Sequence, residues 1–205
     1  MSANRPYVLG LTGGIATGKT MACEYLKTLG ATVTDADELS RALTAPGGEA
    51  LSAIRARFGE HVFDGEALNR RALARQVFGD DALRRDLEAI IHPLVTRGIE
   101  RAILEAANAG EKLIVLAAPL LFEAGLEGMC DAVWLTDVDE RTQLRRVMAR
   151  DGMTESEARA RISSQLPSDI KRGRASLIID TSGDIANTRA ALKRHFDALQ
   201  MQLDY

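Results

Sequence analysis

Eight residues near the start of the chain, Gly13-Gly14-Ile15-Ala16-Thr17-Gly18-Lys19-Thr20, fit the phosphate-loop pattern G-x-x-x-x-G-K-[ST] without a gap or substitution. The chemistry such a stretch supports is the holding of a triphosphate. Glycines let the backbone turn tightly and approach an anion, so that successive N–H groups point at it. A helix beginning there adds unpaired N–H groups and the positive end of its dipole. Lys19 then reaches the β- and γ-phosphates as a point charge on a flexible stem, and the Thr20 hydroxyl ligates Mg²⁺. The plain alternative is a glycine-rich strand-to-helix turn with an accidental GKT. The flanks argue against it: Tyr7–Thr12 reads as a buried strand, and Met21–Leu29 as a helix ending at Gly30. A nucleoside triphosphate with Mg²⁺ is therefore the expected ligand of this loop.

Further chemistry-bearing residues follow. Asp35 comes directly after a second strand candidate, Thr32–Thr34, which places it at the carboxyl edge of a sheet, where ligands of open α/β folds bind. A carboxylate there can accept the proton of a hydroxyl attacking a γ-phosphoryl group. Asp37, two residues on, suits a helix N-cap, and Asp35 could serve the same purpose. The third strand ends in Ala117-Ala118-Pro119, without the Asp that often directs magnesium from such a position. The carboxylates left for that role are Asp35 and Glu123, so Mg²⁺ is expected on Thr20, the phosphates and water. Between Arg141 and Arg174 stand eight Arg and one Lys. They read either as a solvated, salt-bridged helix face or as a mobile lid, in which Arg146 stacks on adenine and Arg150 neutralises charge on the transferring phosphoryl.

Elements must position these groups. Five strand candidates, Tyr7–Thr12, Thr32–Thr34, Leu113–Ala118, Ala132–Thr136 and Leu177–Asp180, are separated by helical patterns, the signature of a parallel α/β sheet. The second and third are nearly 80 residues apart, far more than one crossover helix requires. That stretch is expected to be a helical substrate region. In it Glu49–Phe58 reads as a helix stopped by Gly59, and Asp64-Gly65 as a turn. Leu68, Leu73, Val77 and Phe78 follow at helical spacing, Asp80 or Asp81 caps the next helix, and His92-Pro93 breaks it and starts another from Leu94 to about Asn108. The expected fold class is α/β, a three-layer phosphate-loop NTPase type with a parallel five-stranded sheet, a helical insert and a small lid. Its divisions are 1–35 for the first part of the core, 36–110 for the insert, 111–138 for the second part, 139–173 for the lid and 174–205 for the last strand and helix.

The set of Gly13–Thr20, Asp35-Ala36-Asp37, His92-Pro93, Pro119-Leu120-Leu121-Phe122-Glu123, Gln143-Leu144, Arg146, Arg150-Asp151-Gly152 and Gln165 resembles the dephospho-CoA kinase family over nearly the whole chain. The resemblance implies ATP-dependent phosphorylation of the ribose 3′-hydroxyl of dephospho-CoA, the last step of coenzyme A synthesis. It implies Asp35 as the base, Lys19 and Arg150 as stabilisers of the transferred charge, and the insert as the CoA-binding region, with His92 and Leu68-Asn69-Arg70 near the acceptor. The acceptor-binding candidates are Asp35, Asp37, Arg41, Arg70, His92 and Glu123; those for the nucleotide are Gly13 to Thr20 and Arg146. The chain departs from the family pattern at Asn69, where Asp is usual, at Ser176 and Thr181 around the last strand, and at Ala16-Thr17, where Gly-Ser is commoner. Ala16 restricts the loop if its φ must be positive.

Composition narrows the competing classes. Of 205 residues 46% are hydrophobic and 27% charged, ordinary for one globular chain, and the net charge of −3 gives no electrostatic reason for a nucleic-acid partner. No apolar run of about 18 residues exists, so no membrane span is expected. Met1–Pro6 lacks an apolar signal core, and Cys23 and Cys130 stand alone, which together make the expectation a reduced, cytoplasmic chain. A monomer is expected, with weak self-association as the alternative. Another nucleoside or nucleoside-monophosphate kinase would suit the same insert and arginines. A GTP-driven switch fits less well, because no Lys (19, 27, 112, 171, 193) is followed by x-D as guanine readers require.

Overall fold

The computed structural model describes residues 5–203; the outermost residues of the 1–35 and 174–205 divisions, and with them most of the Met1–Pro6 stretch, lie outside the described residues. The chain divides into two compact units, one from the residues up to Asp35 together with those from Ile103 onward, the other Ala36–Ala102. The first unit begins with strand β1 (Tyr7–Gly13), helix α1 (Lys19–Thr28) and strand β2 (Thr32–Asp35). The second holds α2 (Ala36–Leu43), α3 (Leu51–Phe58), β3 (Phe63–Asp64), β4 (Ala67–Leu68), α4 (Arg70–Val77) and the start of α5 (Asp81–Asn108). The first unit resumes with β5 (Leu113–Ala117), β6 (Ala132–Asp137), α6 (Glu140–Asp151), α7 (Glu155–Ser163), α8 (Ser168–Arg174), β7 (Leu177–Asp180) and α9 (Ile185–Leu203).

Among the described residues the large sheet has five strands in the order β2-β5-β1-β6-β7, all neighbours parallel. The fold is the three-layer α/β arrangement read from the sequence. β1 and β5 are near-continuous apolar runs because a central parallel strand is covered on both faces. Leu9, Leu11, Leu113, Val115, Ala117, Trp134 and Ile179 face one way and pack with Ala22, Cys23 and Leu26 of α1 and Leu192 and Phe196 of α9. Val8, Ile114, Leu116, Val133 and Leu135 alternate with them and are equally buried. Burying each large apolar side chain contributes ~1.5–3 kcal/mol. The strand alternation thus fixes which residues reach the carboxyl edge, where β1 runs into the Gly13–Thr20 loop.

The second unit has its own core. Ala50, Ile54, Phe58, Val62, Phe63 and Leu73 are buried, with Leu43, Leu68, Leu87, Ile91 and Leu94 packed against them. Two sequence expectations change here. Leu68 belongs to a short antiparallel hairpin, paired with Phe63 around the Asp64-Gly65 turn, and Phe78 is 89% exposed just past the end of α4. The second correction is larger: α5 is one helix through His92-Pro93, with Pro93 inside it. Pro93 has no N–H for the carbonyl four residues back, a loss that ordinarily ends a helix. Ile90, Ile91 and Leu94 on the unit's core, with Val95 and Ile99 buried beyond them, hold both halves to one axis. Asp80 does cap α5, its Oδ1 accepting from the N–H groups of Ala82 and Leu83 at 2.9 and 3.0 Å.

Candidate active site

The phosphate loop begins where β1 ends. A Cβ at Gly13 would lie 2.1 Å from Thr136 Oγ1 and 2.5 Å from Thr17 Oγ1, so only glycine lets those hydroxyls close over the strand end. Thr17 Oγ1 donates to the Gly14 carbonyl at 2.8 Å and lies 3.0 Å from Thr136 Oγ1. Ala16 has φ 59° and Gly18 φ 90°. The positive φ that the sequence left conditional at Ala16 is adopted there, against the ordinary steric preference of an L-residue. Thr20 is exposed in the first turn of α1, whose N-terminus faces the loop.

Lys19 and Asp35 come together. Lys19 Nζ lies 3.1 Å from Asp35 Oδ2, the two side chains only 12% and 20% exposed. Asp35 is the last residue of β2, one step further into the strand than its sequence context indicated, and pairs in register with Ala117. A lysine ammonium and a carboxylate thus share the carboxyl edge of the sheet. Nearby, burial pushes the Cys23 thiol up to about 11, so it is a neutral packing group at ordinary pH.

Two arginines of α6, Arg146 and Arg150, are held by neighbours. Arg146 donates to the Thr181 carbonyl at 2.6 Å and to Thr181 Oγ1 at 3.3 Å, while that hydroxyl donates to the Thr17 carbonyl at 2.8 Å. Thr181, a departure from the family pattern, therefore ties the last strand to the phosphate loop. Arg150 makes paired hydrogen bonds to Asp151 at 2.8 and 2.9 Å, and Arg161 of α7 reaches the same carboxylate at 3.3 Å. The hydrogen bond from Arg150 holds the Asp151 carboxyl below the usual carboxylate range and raises the guanidinium in turn. Glu123 Oε1 accepts from Leu166 N–H at 3.0 Å and lies 2.9 Å from Nζ of Lys171, an ion pair without hydrogen-bond alignment. Lys171 is 2% exposed, so Glu123 compensates a charge that burial would otherwise penalise heavily.

Of the other candidates, Asp37, Arg41, Arg70 and His92 belong to the second unit. Arg70 Nη2 donates to Thr44 Oγ1 at 2.7 Å and to the Arg41 carbonyl at 3.3 Å, which brings Arg70 to the end of the α2 segment carrying Arg41. Asp37 is exposed in the first turn of α2, and His92 is exposed on α5. Asn69 caps α4 through Ala72 N–H at 2.9 Å, and its amide donates to Asp64 at 2.9 Å.

Sequence reasoning passed over several groups at this edge. Asp137 accepts from Arg172 at 2.6 Å; extending the fourth strand by one residue would have put it at a strand end, as Asp35 was. The Thr136 hydroxyl and Lys171 carry no pattern in the chain at all. Among the described residues no group of three or more His, Cys, Asp and Glu is arranged for a metal, and no helix is long and apolar enough to cross a membrane. The Thr20 hydroxyl and the Asp35 carboxylate are nevertheless hard oxygens, the kind Mg²⁺ takes beside phosphate.

Comparisons with known proteins bear on this edge. A family model described as CoaE, dephospho-CoA kinase, matches residues 7–187. A dephospho-CoA kinase of Syntrophotalea carbinolica is 46% identical over 183 residues, covering 89% of this chain and 87% of its own. One of Shouchella clausii is 43% identical over 192 residues, covering 93% and 96%. The crystal structure of TT1252 from Thermus thermophilus has a TM-score of 0.81 and 34% identity, covering 98% of this chain and 99% of that one. The dephospho-CoA kinase from Campylobacter jejuni, at 21% identity and a TM-score of 0.65 over 95% and 98% of the two chains, shares the fold.

Proposed function

The chain belongs to the dephospho-CoA kinase family, and from that premise we propose that it transfers the γ-phosphoryl group of ATP to the ribose 3′-hydroxyl of dephospho-CoA, giving coenzyme A and ADP. The observation that carries the reading is the 3.1 Å approach of Lys19 Nζ to Asp35 Oδ2 at the carboxyl edge of the sheet. Transfer is direct and in line. The 3′-oxygen forms its bond to the γ-phosphorus, the bond from that phosphorus to the β–γ bridging oxygen breaks with its electron pair going to ADP, and the hydroxyl proton passes to Asp35. Lys19 holds the β- and γ-phosphates, and the loop from Gly13 to Thr20 cradles them with backbone N–H groups. Arg150, turned from Asp151, neutralises the transferring group, and Arg146 stacks on the adenine. Mg²⁺ would be held by Thr20 and the phosphate oxygens and, when bound, neutralises phosphate charge.

For the acceptor we propose that Asp37, Arg41, Arg70 and His92 of the Ala36–Ala102 unit bind the CoA moiety, the guanidinium groups suiting its diphosphate. Glu123 belongs to this set through the Pro119–Glu123 segment that resembles the family. Residues 139–173 act as the lid. The two free cysteines support a reducing, cytoplasmic setting, and the chain acts as a monomer. The test is ADP release with ATP and Mg²⁺, with and without dephospho-CoA. A rate that needs dephospho-CoA, and vanishes with its 3′-deoxy analogue, is expected. Equal stimulation by nucleosides or nucleoside monophosphates would overturn the acceptor.

A further inference from the structure

One residue of the phosphate loop is gripped on both of its backbone polar groups by side-chain amides from elsewhere in the fold. Ile15 N–H donates to Gln165 Oε1 at 2.8 Å, and the Ile15 carbonyl accepts from Gln143 Nε2 at 3.0 Å. Gln143 is 3% exposed on α6, and Gln165 follows α7. The two amides fill the space beside the loop: a Cβ at Gly14 would lie 2.8 Å from Gln143 Nε2 and 3.6 Å from Gln165 Oε1. The gripped residue directly precedes Ala16, whose φ of 59° is disfavoured for any side chain. Strained backbone persists only where its surroundings over-determine it. The Gln165 side is itself anchored, since the next residue, Leu166, gives its N–H to Glu123 at 3.0 Å.

We infer that Gln143 and Gln165 are positioning residues that set the Ile15–Ala16 turn before a nucleotide arrives. Their contacts are to backbone, not to phosphate. A preset loop binds the phosphates of ground state and transition state alike, so loss of the grip weakens nucleotide binding more than turnover. Because Gln143 stands on α6 and Gln165 just after α7, with Arg150 in the last turn of α6 between them, the same grip holds the α6–α7 pair against the loop. This inference rests on the phosphoryl-transfer reading above only for its turnover arm.

The test uses the full chain and near-isosteric Gln165→Met and Gln143→Met, which keep length and lose the amide. ATP binding is measured by calorimetry without acceptor, and Ile15 amide exchange by hydrogen exchange. Each variant is expected to weaken ATP binding about tenfold, to lower kcat/KM chiefly through KM, and to speed Ile15 exchange. Ala16→Gly, which adopts positive φ freely, should recover most of the loss when added to Gln165→Met. ATP affinity within about twofold of the parent in both variants, or a loss that Ala16→Gly leaves untouched, would overturn the inference. Gln143 is buried, so its variant also carries a folding cost; the half-exposed Gln165 keeps the test decisive. A parent protein that binds ATP but ignores dephospho-CoA would defeat the functional reading while leaving the calorimetric comparison valid.

Discussion

Asp35 occupies a position where two roles make different predictions. As the base for a substrate hydroxyl it acts only as the proton leaves, so Asp35→Asn should cut kcat about 10²–10⁴-fold with ATP affinity nearly intact. Steady-state kinetics beside ATP calorimetry separates this from a metal-organising or structural role, which would lower both together. The Asn side chain keeps an oxygen for Lys19, so the 3.1 Å contact survives as a neutral acceptor and the site should stay folded. Lys19→Ala removes the phosphate-directed charge itself and should damage both binding and rate.

At the level of elements, the ends of helices matter more than their middles. Arg150 closes α6, where it is 53% exposed and pairs with Asp151. If it leaves that pair to meet the transferring group, Arg150→Ala should lower kcat more than it raises either KM; an unchanged kcat would remove it from the transition state. In the second unit Asn69 holds the first turn of α4 and the hairpin turn at Asp64 together. Asn69→Ala leaves Ala72 N–H without its cap, a cost of about 1 kcal/mol. That corresponds to a melting temperature lower by ~2–4 °C, read by calorimetric scan. Asp at this position would cap equally well and would meet the Asp64 carboxylate, which explains why an amide serves here.

Over the whole molecule, the two cysteines report on integrity. Burial is the main cause that pushes both thiols up to about 11. Below an ordinary thiol pKa of ~8.5 both are protonated folded and unfolded, and contribute nothing to pH dependence. Above it the unfolded chain releases protons that the native chain keeps, so stability should fall as pH rises from ~8.5 toward 11. Denaturation midpoints at pH 7.5, 9 and 10 check the sign. At pH 7.5 a thiol reagent should label Cys23 of the native protein slowly and in step with unfolding as denaturant is added; rapid labelling at Cys23, located by peptide mapping, would contradict its burial.

What the sequence determined by itself was local or periodic. The Gly13–Thr20 loop, the five strands and a cap at Asp80 or Asp81 are written in consecutive residues, because backbone turns, strand alternation and N-caps depend on near neighbours. Placing Asp35 at the sheet edge needed only the end of a short β-branched stretch, Thr32–Thr34. The tertiary structure decided the rest. Whether Pro93 breaks its helix depends on what Ile91 and Leu94 pack against, and that core outweighed one missing N–H. The Ile15 grip joins residues 128 and 150 positions apart, and the Thr181 bond to Thr17 spans 164. No window along the chain contains both partners of such a bond; only a sheet that brings β1, β6 and β7 side by side puts their carboxyl ends within hydrogen-bond reach.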